Sequence, residues 1–409
     1  MSTQGNSNST VAPNFEVLIV GSGIAGLSAA IACREKGFNV TILEAAAEFT
    51  HVGAGIFLGG NASSILCHWG LRKQMDKCAA RQKRTIFVNH DEGKTLKVAE
   101  YAELEKQIGF PLWQLHRADL HDVLLARAQE LGAVFKMGHS VKTYDWERPS
   151  ALLDDGTSIA ADVIMAADGY RSYARSNMLG RVDEPRPSGN SAFRALIPCE
   201  LLAGDPSLKP IINWEDQTTY VWVGAGCHVV GYPVREGKFY NIVLTQPAIH
   251  TADSKYVVSV DPSEVLELYK SWDPRLVSIL QHLPADTLEW RLCDLEPMES
   301  CIFQGSKIVL IGDAGHAMLP SAAQGAGASI EDGAALGELL ARARGKEDIP
   351  RVLRTYQKLR QPRLAAIVRG ARADAKRWHD KKSTGSGTTS EWSWDYDVMT
   401  EAREIELEA

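Results

Sequence analysis

The first long pattern along the chain is an apolar run without a charged residue, at residues 17–33. Its length approaches what a membrane-spanning helix requires. The run is not uniform, because residues 17–20 are a β-branched stretch typical of a buried parallel strand and three glycines follow. Glycines disfavour a helix, and Glu16 and Arg34 flank the run closely. The pattern therefore predicts a strand, a turn and a helix.

The glycines of this turn have a specific spacing. Gly21, Gly23 and Gly26 form GxGxxG, and the next predicted strand ends in Glu44. Such glycines allow a tight turn, close approach of the backbone to a pyrophosphate at the helix N-terminus, and close packing of helix on strand. A carboxylate at the position of Glu44 suits a ribose hydroxyl. The combination predicts binding of an adenine dinucleotide.

Two later segments also place an acid directly after a short apolar strand. Residues 163–167 lead into Asp168, and residues 308–311 lead into Gly312 and Asp313. In an α/β sheet, the ligand-binding groups lie at the carboxyl ends of the parallel strands. Both acids are therefore expected at the same edge of the sheet as the glycine turn.

The middle of the chain has a different pattern, with a period of two residues. The stretches "SAFRALIP", "TTYVWVG", "HVVGYPV" and "FYNIVLT" predict strands separated by turns, and hence an inserted antiparallel sheet. Alternation places Arg194 with its second neighbours on one face, Tyr220 with Trp222, and His228 with Tyr232. The pattern does not decide which faces point inward.

A helical period follows Arg117, which places this arginine at the N-terminus of a predicted helix. A cation at that position opposes the helix dipole. Two explanations remain open at this point. Arg117 has either an anionic ligand or an ion pair with Asp119 or Asp122.

Composition narrows the class of protein. The chain has 409 residues, 45% apolar and 23% charged, with a net charge of -7, which disfavours partners such as nucleic acid or anionic membranes and favours a small molecule. Seven cysteines without a CxxC pair predict reduced thiols and a cytoplasmic location, and no metal-ligand cluster is apparent. Residues 1–14 are expected to be a disordered tail, and residues 377–409 a flexible link and a C-terminal tail that aromatic residues dock onto the protein.

These motifs together resemble the single-component flavoprotein aromatic hydroxylases. The chain carries GSGIAG with Glu44, a DGxxSxxR form from Asp168, and a GDAxHxxxP form from Gly312, in that order. Fungal salicylate-hydroxylase-like enzymes are the nearest likeness, through "VGAGI", "LHRADL" and "EDGAALGELL". The resemblance implies a para-hydroxybenzoate-hydroxylase-like α/β fold. Its Rossmann-like FAD-binding domain would comprise residues 15–185 and 289–376, with an antiparallel-sheet substrate domain inserted at 186–288.

The resemblance also implies which residues contact the cofactor. The helix that begins near Gly325 would point its positive end at the flavin ring, where reduced flavin carries negative charge; tight helix packing is the alternative role of its glycines. The expected FAD-binding residues are Gly21, Gly23, Gly26, Glu44, Gly55, Arg117, Asp168, Asp313, Gly325, Ala326 and Gly327.

For the substrate, the resemblance favours Arg194 as the group that orients an anionic oxygen. His228, Tyr220 and Tyr232 are candidates for proton handling. Packing is the alternative role of the two tyrosines, and a structural role is the alternative for the histidine. Ser321 and Ala322 replace larger residues of the salicylate hydroxylases, which suggests a wider pocket.

The implied reaction is FAD-dependent. NAD(P)H reduces FAD, O2 forms a flavin hydroperoxide, and one oxygen atom passes to an electron-rich phenolic substrate, in an enzyme of fungal secondary metabolism that is a monomer or a homodimer. The alternatives are a salicylate-type decarboxylating hydroxylase and a flavin-dependent dehydrogenase or reductase that inserts no oxygen.

Overall fold

The computed structural model describes residues 14–49, 55–249, 256–303, 306–379 and 391–408. The predicted N-terminal tail, apart from its last residue, and the predicted link at 383–390 lie outside these ranges.

Within the described residues the chain forms nineteen strands. They are β1 (Glu16–Val20), β2 (Asn39–Glu44), β3 (Gly55–Leu58), β4 (Ala80–Arg81), β5 (Arg84–Asn89), β6 (Thr95–Glu100), β7 (Trp113–His116), β8 (Val134–Met137), β9 (Val141–Asp145), β10 (Ser150–Leu153), β11 (Ser158–Ala160), β12 (Val163–Ala166), β13 (Arg186–Pro198), β14 (Thr218–Gly224), β15 (Cys227–Val234), β16 (Phe239–Pro247), β17 (Val257–Ser259), β18 (Leu288–Asp294) and β19 (Ile308–Leu310).

The α-helices of the same ranges number thirteen. They are α1 (Ile24–Glu35), α2 (Gly60–His68), α3 (Arg72–Cys78), α4 (Ala102–Ile108), α5 (Arg117–Glu130), α6 (Tyr173–Leu179), α7 (Cys199–Leu202), α8 (Pro262–Tyr269), α9 (Pro274–Leu280), α10 (Asp313–His316), α11 (Gly325–Leu340), α12 (Ile349–His379) and α13 (Val398–Glu404).

A five-stranded parallel sheet forms the first layer, in the order β19-β12-β1-β2-β8. The apolar run at 17–33 is divided between β1 and α1, as its pattern predicts. Helix α11 packs closely on α1, because Gly333 leaves no side chain between the two helices; an added Cβ would lie 2.5 Å from the Ala29 nitrogen. No helix of the described ranges combines the length and apolar character needed to cross a bilayer.

The second large sheet has eight strands, in the order β17-β18-β13-β16-β15-β14-β5-β6. Its neighbours pair antiparallel except β14 and β5, which run parallel. The four stretches with a period of two are all strands here, and the sheet extends beyond residues 186–288 to take in β5, β6 and the end of β18. One face packs on a core that includes Leu276 and Ile279 of α9.

The C-terminal segment at residues 391–408 packs on the body of the protein, and α12 continues past residue 376 without a break. Trp394 is 4% exposed and Trp392 is 53% exposed, so the first of these docks and the second does not. Arg403 of α13 donates two hydrogen bonds to Glu338 of α11, at 3.0 and 2.7 Å. The expected docking by aromatic residues is therefore present, with Trp394 rather than Trp392 as the buried group.

Candidate active site

A cavity of about 500 Å3 lies between the carboxyl edge of the parallel sheet and one face of the eight-stranded sheet. The loops after β1, β12 and β19 meet at this edge because the three strands are adjacent and parallel. Predicted site residues that line the cavity are Gly23, Gly55, Arg117, Asp313, Gly325 and Ala326 on the side of the loops and helices, and Arg194, His228 and Tyr232 on the side of the sheet.

The glycine turn has the close contacts that its spacing predicts. Gly21 has a φ of 101°, and an added Cβ would lie 2.3 Å from the carbonyl oxygen of Ala167. An added Cβ on Gly26 would lie 1.9 Å from the Gly21 oxygen. Gly23 precedes α1 and faces open space, with no atom within 4 Å of such a Cβ. The turn therefore leaves the N-terminus of α1 open to a ligand.

Glu44 lies at the end of β2 and is bound to the glycine turn. Its Oε2 accepts hydrogen bonds from the backbone nitrogen of Ser22 at 2.9 Å and from the Ser22 hydroxyl at 2.5 Å, and its Oε1 accepts one from the Ala46 nitrogen at 2.9 Å. Burial acts to raise the pKa of Glu44, but these hydrogen bonds outweigh it and lower the pKa. The carboxylate is thus anionic beside the turn.

Asp168 lies after β12, between the cavity-lining residues Ala167 and Gly169. Its Oδ2 accepts a hydrogen bond of 3.1 Å from the Ala174 nitrogen, whereas its buried Oδ1 has no hydrogen-bond partner in the described part of the chain. Burial raises the pKa of Asp168. A buried acceptor without a partner is costly, so this atom fits a donor that the described residues do not supply.

The arginines of the same motif do not share this environment. Arg175 is buried, and its Nε donates to Asp183 at 2.6 Å in an internal ion pair. Its Nη1 also donates to the carbonyl oxygen of Gly315, which follows Asp313 closely. Arg175 therefore stabilises the loop after β19 by this hydrogen bond. Arg171 lies 4.4 Å from the ring centre of Tyr256.

Asp313 begins α10 and presents its accessible surface to the cavity. Desolvation by the surrounding protein raises the pKa of Asp313, whereas the charges of His316 and Arg117 act to lower it. Arg117 is the first residue of α5, as the helical period predicts. Its side chain lines the cavity. Asp119, one of the two acids considered as a partner of Arg117, forms an ion pair with Arg235 at 2.8 Å.

The glycine-rich start of α11 is divided between two roles. Gly325 and Ala326 line the cavity, and an added Cβ on Gly325 would meet no atom within 4 Å. Gly327 instead faces α2, where an added Cβ would lie 3.1 Å from the Asn61 Nδ2. Gly327 does not line the cavity, because the helical rotation turns its Cα toward α2. Its contact with the cofactor stays a prediction.

The sheet wall of the cavity is one face of β13, β16, β15, β14 and β5. Val243 of β16 pairs with Arg194 and with Val230, so Arg194 shares a face with His228 and Tyr232 on β15. Burial lowers the pKa of Arg194 and raises that of Tyr232, and each partly opposes the shift of the other. The predicted alternation is confirmed for His228 and Tyr232, and the strand register adds Arg194 to their face.

Tyr220 lies on the opposite face, and its prediction as a proton-handling residue is corrected. Thr219 and Val221 line the cavity, so alternation turns Tyr220 away from it. Its ring lies 5.7 Å from that of Trp222, within the core beneath the sheet. The packing alternative applies to Tyr220.

Several residues in or beside the cavity escape prediction from the sequence. Asn241 accepts a hydrogen bond of 2.8 Å from the Gly55 nitrogen, and Gln324 and Trp394 line the cavity. Asn241 Nδ2, Gln324 Nε2 and Trp394 Nε1 are buried donors without a partner among the described residues, as is Arg194 Nε. Single amides on strands or before helices give no sequence signal. That these donors are left without a partner within the described ranges appears only in the folded chain.

A buried ionic network supports the helix that starts at the cavity. Glu331 accepts hydrogen bonds from Arg360 at 2.5 Å and from Arg363 at 2.9 and 2.6 Å, and Arg360 also donates to Asp332 at 3.0 Å. Asn61 donates to Glu331 and to Gln324. A signal for this network was present, since two adjacent acids stand in an otherwise small and apolar helix.

The arrangement fits an FAD molecule. The open turn before α1 offers backbone N–H groups to phosphate, Asp313 offers a carboxylate to hydroxyl groups, and the start of α11 offers a positive helix end. The unpartnered Oδ1 of Asp168 adds a buried acceptor beside the cavity. These groups suit a ligand with phosphates, hydroxyls and a ring that becomes anionic on reduction. The fold and the site thus define a flavin-dependent oxidoreductase.

Comparison with known proteins identifies the family. The model of a family described as "FAD binding domain" matches residues 14–193 and 281–371. The FAD-dependent monooxygenase OpS4 of Beauveria bassiana is 34% identical over 89% of this chain and 86% of its own length. The 3-hydroxybenzoate 6-hydroxylase 1 of Aquipseudomonas alcaligenes is 32% identical over 86% of both chains. The crystal structure of CtdE with FAD and its substrate 4 has a TM-score of 0.85 at 25% identity, covering 95% of this chain and 97% of CtdE.

The chain therefore belongs to the FAD binding domain family, and it is an FAD-dependent monooxygenase. The predicted fold class, cofactor and enzyme class are confirmed. The roles of the individual site residues remain predictions.

Proposed function

We propose that this chain uses NAD(P)H and O2 to insert one oxygen atom into an electron-rich phenolic substrate. The observation that carries the proposal is Arg194. Its guanidinium lines the cavity, and its buried Nε has no hydrogen-bond partner in the described residues. A buried cation with an open donor fits an anionic oxygen such as a phenolate. Deprotonation of a phenol makes its ring a better nucleophile toward an oxygen donor.

The division of roles follows from position. We assign the pyrophosphate to the turn of Gly21, Gly23 and Gly26, and the ribose to Glu44. The remaining FAD contacts are assigned to Gly55, Arg117, Asp168, Asp313, Gly325 and Ala326. When bound, FAD supplies electron transfer from NAD(P)H and the activation of O2.

The sheet wall supplies the groups that handle the substrate. Tyr232 is buried beside Arg194, and burial raises the pKa of its hydroxyl, so it keeps its proton at neutral pH and acts as a hydrogen-bond donor. We assign Tyr232 to hydrogen bonding at the substrate oxygen and His228 to accepting the proton of the substrate hydroxyl. Arg194 then holds the resulting anion. The substrate wall comes chiefly from residues 186–288, and the FAD site from residues 15–185 and 289–376.

The cellular setting is also a proposal. All seven cysteines lie in the described ranges and are free thiols, which supports a reducing compartment such as the cytoplasm. Similarity to fungal enzymes such as OpS4 supports a role in fungal secondary metabolism.

The test is NAD(P)H oxidation by the FAD-loaded protein in air, with mass spectrometry of the products. Salicylate, 3-hydroxybenzoate, 2-naphthol and larger phenols serve as the panel. A compound that accelerates NAD(P)H loss and gains one oxygen atom, with both effects requiring O2, supports the proposal. Loss of carboxylate from salicylate would support the decarboxylating alternative. Conversion that continues under argon would identify a dehydrogenase instead.

A further inference from the structure

The C-terminal segment contributes one residue to the cavity. Trp394 lines the cavity although it lies far along the chain from the other lining residues. Its ring centre lies 4.8 Å from that of Phe57 and 6.0 Å from that of Tyr101, both of which also line the cavity. Three aromatic rings from three separate segments of the chain therefore form one wall of the cavity.

This wall is held by specific bonds to the body of the protein. The Nη2 atom of Arg363 donates a hydrogen bond of 2.7 Å to the carbonyl oxygen of Ser393, next to Trp394. The same guanidinium lies 3.9 Å from the ring centre of Tyr396. Arg342 donates to the carbonyl oxygen of Ala402 at 2.7 Å. Trp394 is thus positioned by bonds on both sides of it.

Neutral polar side chains surround the aromatic wall. Gln114 Nε2 donates to Thr219 Oγ1 at 2.7 Å, and Gln82 Nε2 donates to Thr85 Oγ1 at 2.7 Å. All four of these polar residues are buried and line the cavity. We call this region the amide end of the cavity; its members are Phe57, Gln82, Thr85, Tyr101, Gln114, Thr219 and Trp394.

The amide end lies away from Arg194. Arg194 is on β13 and Thr219 is on β14, and two strands separate them in the sheet. Three inter-strand spacings amount to about 14 Å. A single phenolic ring does not span that distance. No member of the amide end carries a charge, so a carboxylate bound there would lack a cationic partner.

One buried donor in this region belongs to the side chain of Trp394. Trp394 Nε1 is buried and has no hydrogen-bond partner among the described residues. Burying an N–H group without a partner is unfavourable, and a carbonyl oxygen would satisfy it. The aromatic rings beside it favour a flat ligand.

We propose that the amide end is a second substrate subsite, which binds an uncharged aromatic ring bearing an amide-type carbonyl, and that Trp394 determines this specificity. The inference rests on the proposed function, since it describes the far part of the same substrate. The substrate class is therefore a molecule of two linked parts. Its electron-rich hydroxylated ring lies near Arg194, and a neutral lactam or amide ring lies against Trp394.

Calorimetric titration of the FAD-loaded, full-length protein tests the subsite without turnover. The probes are 2-quinolone, a neutral bicyclic lactam, and 2-naphthoate, a bicyclic carboxylate of similar size. We expect 2-quinolone to bind more tightly. Trp394→Phe keeps an aromatic ring but removes the N–H group, and is expected to weaken 2-quinolone binding about three- to tenfold. Gln114→Leu tests the polar side of the subsite from outside the C-terminal segment.

Trp392→Phe is the matched control, because Trp392 lies in the same segment and is largely exposed. FAD content and thermal midpoint report whether each variant folds. The subsite is overturned if 2-naphthoate binds as tightly as 2-quinolone, if 2-quinolone does not bind, or if Trp394→Phe binds 2-quinolone as the control does. Hydroxylation without this binding pattern would reject the subsite alone, whereas the binding pattern without oxygen insertion into any compound would reject the proposed function alone.

Discussion

The Oδ2 atom of Asp332 accepts a hydrogen bond of 2.9 Å from the backbone nitrogen of Gly312. The same oxygen lies 2.6 Å from Nε2 of His316. A carboxylate on α11 thereby holds the loop that presents Asp313 to the cavity. This contact joins the third sequence motif to the buried network of Arg360 and Glu331.

Asp332→Asn is expected to lower the free energy of unfolding by about 3–5 kcal/mol, because it leaves the buried Arg360 and its neighbours short of one negative charge. It should also reduce the FAD content, since the Gly312 loop loses its anchor. Denaturant unfolding and the ratio of flavin to protein absorbance measure the two effects. Asp286→Asn, at an exposed carboxylate, is the control. Equal stability and FAD content in both variants would contradict this role of Asp332.

The stability of this network should depend on pH in the acid range. Burial acts to raise the pKa of Asp332, but His316, Arg360 and the hydrogen bonds outweigh it, so the pKa lies well below its ordinary value. A lowered pKa contributes stability that is present above the ordinary value, about pH 4, and is lost as the pH falls further. The thermal midpoint should decrease below about pH 4. It should decrease less steeply in Asp332→Asn, and parallel curves would reject the assignment.

Gly26→Ala is expected to destabilise the protein by about 1–3 kcal/mol and to reduce FAD binding, because the added Cβ would collide with the Gly21 oxygen. Gly370→Ala is the matched control, at a helical glycine of α12 where a Cβ meets no atom within 4 Å. The control should stabilise the protein by about 0.5–1 kcal/mol. Thermal unfolding and flavin absorbance distinguish the two; identical behaviour would mean that the turn tolerates a side chain.

Arg194→Met should lower kcat/KM for the phenolic substrate about 10- to 100-fold while FAD stays bound, because a charged hydrogen bond to the substrate oxygen is lost. Arg186→Met is the control, since Arg186 lies on the same strand and is half exposed. Steady-state NAD(P)H oxidation measures the effect. A methylated substrate analogue should bind equally well to the wild type and to Arg194→Met. Equal kcat/KM in Arg194→Met and Arg186→Met would exclude Arg194 from the substrate site.

The two tyrosines of the sheet should differ in function. Tyr232→Phe removes a hydroxyl at the cavity and should change the pH profile of kcat/KM. Tyr220→Phe removes one on the opposite face and should leave that profile unchanged, with a stability change of about 1 kcal/mol or less. Profiles recorded for both variants and the wild type decide the matter. A profile altered by Tyr220→Phe alone would reverse the assignment of faces.

Local patterns predicted the parts of the site that depend on short stretches of chain. The glycine turn, the acids after β12 and β19, and the position of Arg117 at a helix start all follow from residues close in sequence. For the strands, the sequence predicted which side chains share a face but not which face lines the cavity. Alternation grouped Tyr220 with Trp222, but the side of the sheet that meets the cavity depends on the elements packed against each face.

The sequence by itself determined that the chain binds an adenine dinucleotide, because a strand, a glycine turn, a helix and an acid at the next strand end are local features. The likeness of its three motifs to the flavoprotein aromatic hydroxylases then predicted FAD and the class of enzyme. Only the tertiary structure decided which side chains share the cavity. Gln114 and Thr219 are 105 positions apart, and Asn61 and Glu331 are 270 apart. Such contacts depend on strand order, register and the docking of the C-terminal segment. These features arise from burial of apolar surface across the whole chain, which no short stretch of sequence predicts.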